Sequence, residues 1–316
     1  MSDVLVMTGR PRAARPTRAH SQAVAEAARI ILSKSKSFSW ASRLLPRQFR
    51  DDAVVLYAWC RRADDAVDDA PHVDAARAAL DRLDAELRSV YHVEKQTDLV
   101  LAAFADVVDR TQMPRHYPAE LLAGMRMDLD GTEYGNHAIL QQYCFRVAGT
   151  VGLMMCHVFG VTHPAALRRA VHLGMAMQLT NICRDVAEDR QLGRCYLPAP
   201  LLEQHQGQVP MVVRELLTEA AVLYHSGRAG LRFLPWQAAL AVGVAQAVYA
   251  DIGATLGRQG YDPQRGRAFT SRGRKAWLTL SELARQVGDL PRRLRGQGLP
   301  RTLEPPAVIR GVEDVL

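Results

Sequence analysis

The chain has 316 residues, of which 48% are hydrophobic, 23% charged and 6% aromatic. This composition is typical of a globular protein and excludes a disordered or fibrous chain. Forty lysines and arginines against 33 aspartates and glutamates give a formal net charge of +7. That charge is compatible with an anionic partner such as a diphosphate, a membrane surface or nucleic acid, and it does not choose among them.

The five cysteines do not follow the pattern of a disulfide framework or of a zinc site. Their number is odd, they are scattered through apolar stretches, and no two of them have Cys-x-x-Cys spacing. A reducing compartment fits this pattern, so the sequence predicts a cytoplasmic protein. The sequence also lacks the run of about 18–20 uninterrupted apolar residues that is typical of a membrane-spanning helix.

Apolar residues recur at spacings of three and four, which predicts helices rather than strands. The breaks coincide with prolines, because proline lacks a backbone donor and restricts the residue before it. The predicted helices cover residues 23–32, 53–67, 73–90, 99–108, 143–159, 165–186, 212–223, 238–256 and 275–287. We therefore expect an all-α protein with one helical domain over 21–288, a flexible basic arm over 1–20 and a flexible basic tail over 289–316.

The first candidate site is the acidic run CRRADDAVDD at residues 60–69. On a helix Asp64 and Asp68 are four residues apart, Asp65 and Asp68 are three apart, and Arg61 precedes Asp65 by four, so these side chains share a face. Carboxylates at this spacing repel one another, and the partial negative charge of a helix C-terminus adds to the repulsion. Taken alone, such a run is usually a solvated surface, but bound divalent cations would also relieve the repulsion.

The second candidate site is a polar stripe that follows the helix predicted over residues 165–186. Gln178, Asn181, Asp185 and Asp189 occur at steps of three and four, with Glu188 alongside, while apolar residues occupy the other faces. A buried stripe of amides and carboxylates is costly without partners. It therefore indicates either an interhelical hydrogen-bond network or a functional site.

Two helices that carry carboxylates can face each other across a bundle. Oxygen ligands without histidine or cysteine suit magnesium or manganese. Magnesium usually keeps part of its coordination shell for water and phosphate oxygens, so such a site can hold an anionic diphosphate through bridging metals.

A third acidic stretch, residues 128–131 with the sequence DLDG, lacks the spacing of a calcium-binding loop. Its glycine favours the end of a helix. A role in a substrate channel is the alternative interpretation.

Four stretches of sequence resemble the squalene and phytoene synthase family. They are SKSFS at residues 35–39, CRRADDAVDD at 60–69, YCFRVAGTVG at 143–152 and QLTNICRDVAEDRQLGRCYLP at 178–198. They follow the family's order and spacing within residues 22–285 and are most similar to the bacterial phytoene synthases of carotenoid biosynthesis. The resemblance implies a single-domain isoprenoid-synthase bundle around a central apolar cavity. It also implies head-to-head condensation of two geranylgeranyl diphosphates, through a cyclopropyl diphosphate, to phytoene with release of diphosphate.

The same resemblance implies roles for individual residues. The expected ligands of Mg²⁺ or Mn²⁺ are Asp64, Asp65, Asp68, Asn181, Asp185 and Asp189. Tyr143 is expected beside the reacting carbons as a catalytic residue. The residues expected to contact the substrate are Ser35, Ser37, Phe38, Arg61, Gln178, Asn181, Arg184, Tyr196, Tyr261, Arg272 and Lys275.

The resemblance implies that NADPH is not needed, and it allows stimulation by ATP. The expected partners are geranylgeranyl diphosphate, downstream carotenoid enzymes and, because the substrate is apolar and the termini are basic, the surface of the inner membrane; nucleic acid is not expected. Two alternatives stay open. One is a 30-carbon synthase of the same family that uses farnesyl diphosphate, because the depth of the cavity sets chain length. The other is a helical scaffold that keeps the fold without catalysis.

Overall fold

The computed structural model describes residues 22, 24–29, 40–92 and 96–294 of the chain. The regular secondary structure of these residues is helical, which confirms the all-α prediction. The α-helices from Arg47 onward are α1 (Arg47–Asp68), α2 (Val73–Tyr91), α3 (Leu99–Thr111), α4 (His116–Leu129), α5 (His137–Cys144), α6 (Thr150–Val158), α7 (Pro164–Gln191), α8 (Ala199–Gln204), α9 (Val209–Gly230), α10 (Trp236–Arg258) and α11 (Arg272–Leu294). The predictions for Ser35, Ser37, Phe38 and the basic arm lie outside the described residues.

Helix α7, with 28 residues, lies at the centre of the bundle and contacts α5, α6, α9 and α10. It packs closely against the helical segment that contains α5 and α6, because glycines lie at the contact. A Cβ atom at Gly174 would lie 2.2 Å from the carbonyl oxygen of Ala148, and one at Gly152 would lie 2.4 Å from that of Ala170. A residue with a side chain does not fit at either position, so the two glycines fix the distance between α7 and the α5–α6 segment.

Where the sequence predicts one α-helix over residues 143–159, the structure has α5, a π-helical segment over Phe145–Gly149, and α6. A π-helical turn inserts an extra residue into the hydrogen-bond ladder, and such turns are frequent at functional sites. Hydrophobic periodicity does not reveal it, because the stretch contains no proline and is predominantly apolar on both sides of the turn. The π-helical segment begins two residues after Tyr143, a residue of the predicted site.

Helix α4 has no counterpart among the predicted helices, because Pro118 lies in its first turn. A proline is tolerated in the first turn, where the backbone N–H groups have no partner within the helix. The helix ends at Leu129, and Gly131 adopts a left-handed conformation with φ of 60°. The prediction of a helix end at residues 128–131 is thus confirmed.

Helix α11 extends to Leu294, so the first six residues of the predicted tail are helical rather than irregular. A single glycine such as Gly288 costs an α-helix only about 1 kcal/mol, which contacts along the rest of the helix can offset. The remainder of the tail, from residue 295, lies outside the described residues.

Within the described part of the chain, α10 is long and apolar enough by length and composition to cross a membrane. More than half of its most apolar window is buried inside the protein, and Ala238, Ala241, Ile252 and Leu256 belong to the main hydrophobic core. A core helix of a globular protein has the same properties, so α10 is explained by the packing of the bundle.

The close contact at Gly174 predicts that Gly174→Ala destabilises the protein. The new methyl group would overlap the carbonyl group of Ala148, and overpacking of this kind lowers the free energy of unfolding by about 1–3 kcal/mol. Chemical denaturation followed by circular dichroism measures the change. Gly273→Ala is the matched control, because a Cβ there meets nothing within 4 Å; equal stability of the two variants would contradict the packing argument.

Candidate functional site

The first acidic run occupies the last turns of α1, where Arg61 lies beside two of its carboxylates. The guanidinium Nη2 of Arg61 is 2.5 Å from Oδ1 of Asp65, and Nη1 is 3.6 Å from Oδ2 of Asp64. The pKa of Asp64 is raised to about 7: burial is the largest cause, Arg61 opposes the shift, and the charges of Asp68 and Asp65 add to it. The Asp64 side chain is still 37% exposed, so this crowded negative charge is accessible to a ligand.

The polar stripe lies on α7, which extends far enough to include Asp189. Asn181 Nδ2 donates a hydrogen bond of 3.4 Å to Gln178 Oε1, while the buried Oδ1 of Asn181 has no hydrogen-bond partner in the described structure. A buried amide oxygen without a partner is costly, so Asn181 presents an acceptor that a cation or a donor could satisfy.

Asp185 is held between two arginines. Arg184 binds it through both carboxylate oxygens, with Nε 2.7 Å from Oδ1. Arg267, from the loop between α10 and α11, lies 3.2 Å from Oδ1 of Asp185 and 3.2 Å from Oε2 of Glu188. One helical turn further on, burial and then the charge of Asp185 raise the pKa of Asp189 to about 7.

The two acidic helices meet through a residue that follows α7. Arg194 Nη1 lies 3.1 Å from Oδ1 of Asp68, across 126 positions of sequence. The positive charge of Arg194 also opposes the rise in the pKa of Asp189. Arg194 therefore links the segment after α7 to the acidic end of α1, while the expectation that the carboxylates of the two helices face each other stays a prediction.

Asp128, at the end of α4, lies between the two acidic helices and binds two tyrosines. Tyr196 donates a hydrogen bond of 2.8 Å to Oδ1 of Asp128, and Tyr143 donates one of 3.1 Å to Oδ2. Burial raises the pKa of Asp128, whereas the two phenol donors and Arg194 favour its ionised form. The carboxylate thus fixes both phenol groups in the site.

The three tyrosines of the site form an aromatic cluster. The rings of Tyr143 and Tyr196 are stacked with centroids 4.9 Å apart, and the Tyr134 ring lies 5.8 Å from Tyr143 and 5.4 Å from Tyr196. All three residues are buried. Burial raises the pKa of the Tyr143 hydroxyl well above its ordinary value, so the phenol stays protonated and donates to Asp128.

The remaining expected substrate contacts lie at the end of α10 and at the start of α11. Tyr261 is half-buried and adopts a left-handed conformation with φ of 60°. Arg272 is exposed and Lys275 half-buried in the first turn of α11. Within the described residues it is Arg267, and not Arg272, that forms the ion pair with the acidic stripe from this part of the chain.

Sequence patterns alone missed three residues of this site: Tyr134, Arg194 and Arg267. They gave Asp128 a role in a substrate channel only as the alternative to a helix end. Arg194 lies inside the stretch GRCYLP, and its position two residues before Tyr196 could have identified it as a residue of the site. Asp128 lies 68 positions from Tyr196, and only the folded chain brings the two together.

The chemistry of the donors fits a divalent cation, although the carboxylates are turned toward arginines. In the described part of the chain, no three acidic, histidine or cysteine side chains converge as a metal site. The site offers carboxylate oxygens from α1 and α7 and the unpartnered amide oxygen of Asn181. These are the oxygen ligands that magnesium and manganese prefer. A bound cation would favour the ionised forms of Asp64 and Asp189, whose pKa values are raised by burial and, to a smaller extent, by repulsion between carboxylates.

A family model and individual relatives match this chain over most of its length. A sequence model of the squalene/phytoene synthase family matches residues 31–274. The chain is 38% identical over 265 residues to a phytoene synthase from Rhodobacter capsulatus, covering 80% of this chain and 78% of the relative. It is 37% identical over 273 residues to a 15-cis-phytoene synthase from a Paracoccus species, covering 82% and 90%.

Solved structures show the same fold. A dehydrosqualene synthase superposes with a TM-score of 0.78 at 29% identity, covering 86% of this chain and 99% of the other. A squalene synthase from Alicyclobacillus acidocaldarius superposes with a TM-score of 0.72 at 25% identity, covering 77% and 96%. The fold is thus the all-α isoprenoid-synthase fold, and the chain belongs to the squalene/phytoene synthase family.

Proposed function

We propose that this protein is a phytoene synthase, a transferase that condenses two molecules of geranylgeranyl diphosphate head to head in carotenoid biosynthesis. The observation that carries the proposal is the meeting of the two acidic helices, with Arg194 on Asp68 and Asp128 between them. The similarity to bacterial phytoene synthases across most of the chain supports this choice within the family.

We further propose that Mg²⁺ or Mn²⁺ binds between α1 and α7. The ligands would be Asp64, Asp65, Asp68, Asn181, Asp185 and Asp189. When bound, the ions would neutralise charge on the diphosphate as its bond to carbon breaks.

The arginines of the site have a part in the same step. Arg61, Arg184, Arg194 and Arg267 are paired with carboxylates in the structure. A guanidinium forms equally good bidentate hydrogen bonds with phosphate oxygens. With cations bound to the carboxylates, these arginines would be available to bind the diphosphate and to stabilise its developing charge.

The aromatic cluster suits the cation that remains on the prenyl chain. An allylic cation must be kept from water, and the faces of buried aromatic rings attract positive charge. Asp128 holds the Tyr143 and Tyr196 hydroxyls, so both rings keep a fixed orientation. We assign Tyr143 and Tyr196 to the stabilisation of this cation and Asp128 to their positioning.

The reaction is proposed to pass through a cyclopropyl diphosphate and to finish with loss of a proton, without NADPH. Stimulation by ATP stays a prediction from the family resemblance. We also propose a cytoplasmic protein in peripheral contact with a membrane and with downstream carotenoid enzymes, because prenyl substrates and the hydrocarbon product are long and apolar.

Product analysis tests the proposed function. We expect the purified protein, incubated with Mg²⁺ and geranylgeranyl diphosphate but no NADPH, to form a 40-carbon hydrocarbon that mass spectrometry identifies as phytoene. The same incubation with farnesyl diphosphate is the comparison. A 30-carbon product from farnesyl diphosphate alone would assign the shorter substrate, and no product from either would favour the scaffold without catalysis.

Removing one carboxylate charge from each acidic helix should stop the reaction. We expect Asp65→Asn and Asp185→Asn each to lower kcat by about 100-fold or more, because each loses a ligand that acts on the leaving diphosphate. Circular dichroism should show unchanged helix content. Asp84→Asn is the control, since Asp84 forms an ion pair with Arg88 on the surface of α2; retained activity in both site variants would refute the metal assignment.

Replacing the carboxylate that positions the tyrosines should slow the reaction without preventing binding. Asp128→Asn keeps the size of the side chain but loses one charged acceptor, worth about 1.5–3 kcal/mol for a hydrogen bond to a charged group. We expect kcat to fall roughly 10- to 100-fold with little change in KM.

The control for this variant is Asp130→Asn. Asp130 lies two residues further on, where it forms an exposed ion pair with Arg77. Steady-state kinetics of the two variants provide the comparison, and similar kcat values in both would contradict the positioning role of Asp128.

A further inference from the structure

The outward face of α11 carries a stripe of large apolar side chains. Trp277 is 55% exposed, Leu280 65% and Val287 60%, and Leu283 is also exposed. At about 100° per residue these positions fall within roughly a third of the helix circumference. Phe269, three residues before the helix, is exposed as well. This stripe is the surface that we call the outer face of α11.

The inner face of the same helix is largely polar. Glu282 is 1% exposed and forms an ion pair with Arg228 of α9, and Gln286 Nε2 donates a hydrogen bond of 2.9 Å to Glu282 Oε1. Trp40 Nε1 donates one of 3.1 Å to Thr279 Oγ1. Leu278 is the apolar contact on this side, where it packs with Leu240, Val244 and Val248 of α10.

This arrangement is the reverse of an ordinary surface helix, which turns its apolar stripe toward the core and its polar residues toward water. The polar contacts of the inner face, together with Leu278, attach the helix to the rest of the bundle. An exposed apolar stripe of this kind is typical of a surface that contacts another molecule or a membrane.

Basic residues flank the outer face on both sides. Arg272 lies at one edge and Arg274 and Arg285 at the other, and the Arg274 guanidinium lies 4.5 Å from the centroid of the Trp277 ring. Arg274 also binds Asp251, and Arg285 lies 4.0 Å from the buried Glu282. An apolar stripe between arginines is the pattern of a helix that lies in the interface of a bilayer, where arginines reach the headgroups.

We propose that the outer face of α11 rests on a bilayer that contains anionic lipids, with Trp277, Leu280 and Val287 in the boundary between headgroups and acyl chains. The basic edges and the net charge of +7 complement an anionic headgroup layer. Only the biological purpose of this membrane contact depends on the proposed function, because long prenyl substrates and products partition into lipid. Binding to lipid can be measured without turnover.

Co-sedimentation of the full chain with lipid vesicles tests the proposal. We expect binding to vesicles of mixed phosphatidylglycerol and phosphatidylcholine, and much weaker binding to phosphatidylcholine alone. The double variant Leu280→Glu, Val287→Glu should bind the anionic vesicles at least about tenfold more weakly, because it places two charges in the apolar stripe. Arg285→Gln should weaken the same binding about fivefold and leave binding to phosphatidylcholine unchanged.

Leu99→Glu is the matched control, since Leu99 is 47% exposed at the start of α3 and the chemical change is the same. It should bind anionic vesicles as the unmodified protein does. Equal loss of binding in this control and in the double variant would overturn the proposal, as would unchanged binding of the double variant.

Two further measurements separate this proposal from its alternatives. Light scattering gives the mass of the protein in solution. If the unmodified protein is a dimer, and the double variant is a monomer that still binds vesicles, the outer face contacts a second copy of the chain instead of a membrane. Turnover of geranylgeranyl diphosphate in detergent should be retained by the double variant. Loss of vesicle binding with retained turnover supports the membrane face, whereas failure of the unmodified protein to turn over substrate bears on the proposed function alone.

Discussion

The site depends on the close packing of carboxylates from three helices in half-buried surroundings. Burial is the largest cause of the raised pKa of Asp64 on α1 and of Asp189 on α7, and the charge of Asp128 from α4 adds to both shifts. Crowded carboxylates tend to take up protons instead of staying ionised. Arginines on both sides of the site oppose this tendency, and they keep the negative charge in place until another cation can neutralise it.

The pairing of carboxylates with arginines couples the proposed binding of the cation to that of the diphosphate. A divalent cation that bound alone would compete with the arginines for the same carboxylates, and a diphosphate that bound alone would draw the arginines away and leave the carboxylates unpaired. If both bound as proposed, each charge would have a new partner, so each ligand would strengthen the binding of the other.

Much of this architecture could be predicted from the sequence, because helical periodicity and carboxylate spacing are local properties. Asp64, Asp65 and Asp68 lie beside one another on α1 as their spacing requires, and the polar stripe continues down α7. Contacts made across the fold could not be predicted in this way. The π-helical turn after Tyr143 leaves no mark in the periodicity. The hydrogen bond between Tyr196 and Asp128 depends on where the fold places the segment after α7 relative to the end of α4.

Helix α11 shows why periodicity identifies a helix but not the face that it buries. A hydrophobic stripe alone would predict that Leu280 and Val287 pack inward. The structure buries Glu282 instead, because Arg228 supplies the opposite charge and Gly243 leaves room, since a Cβ there would lie 2.5 Å from Glu282 Oε1. Turning the apolar stripe inward would leave Arg228 without this partner and force Glu282 into solvent. The polar contact thus determines the orientation of α11, and its consequence is an apolar face that remains available for a membrane.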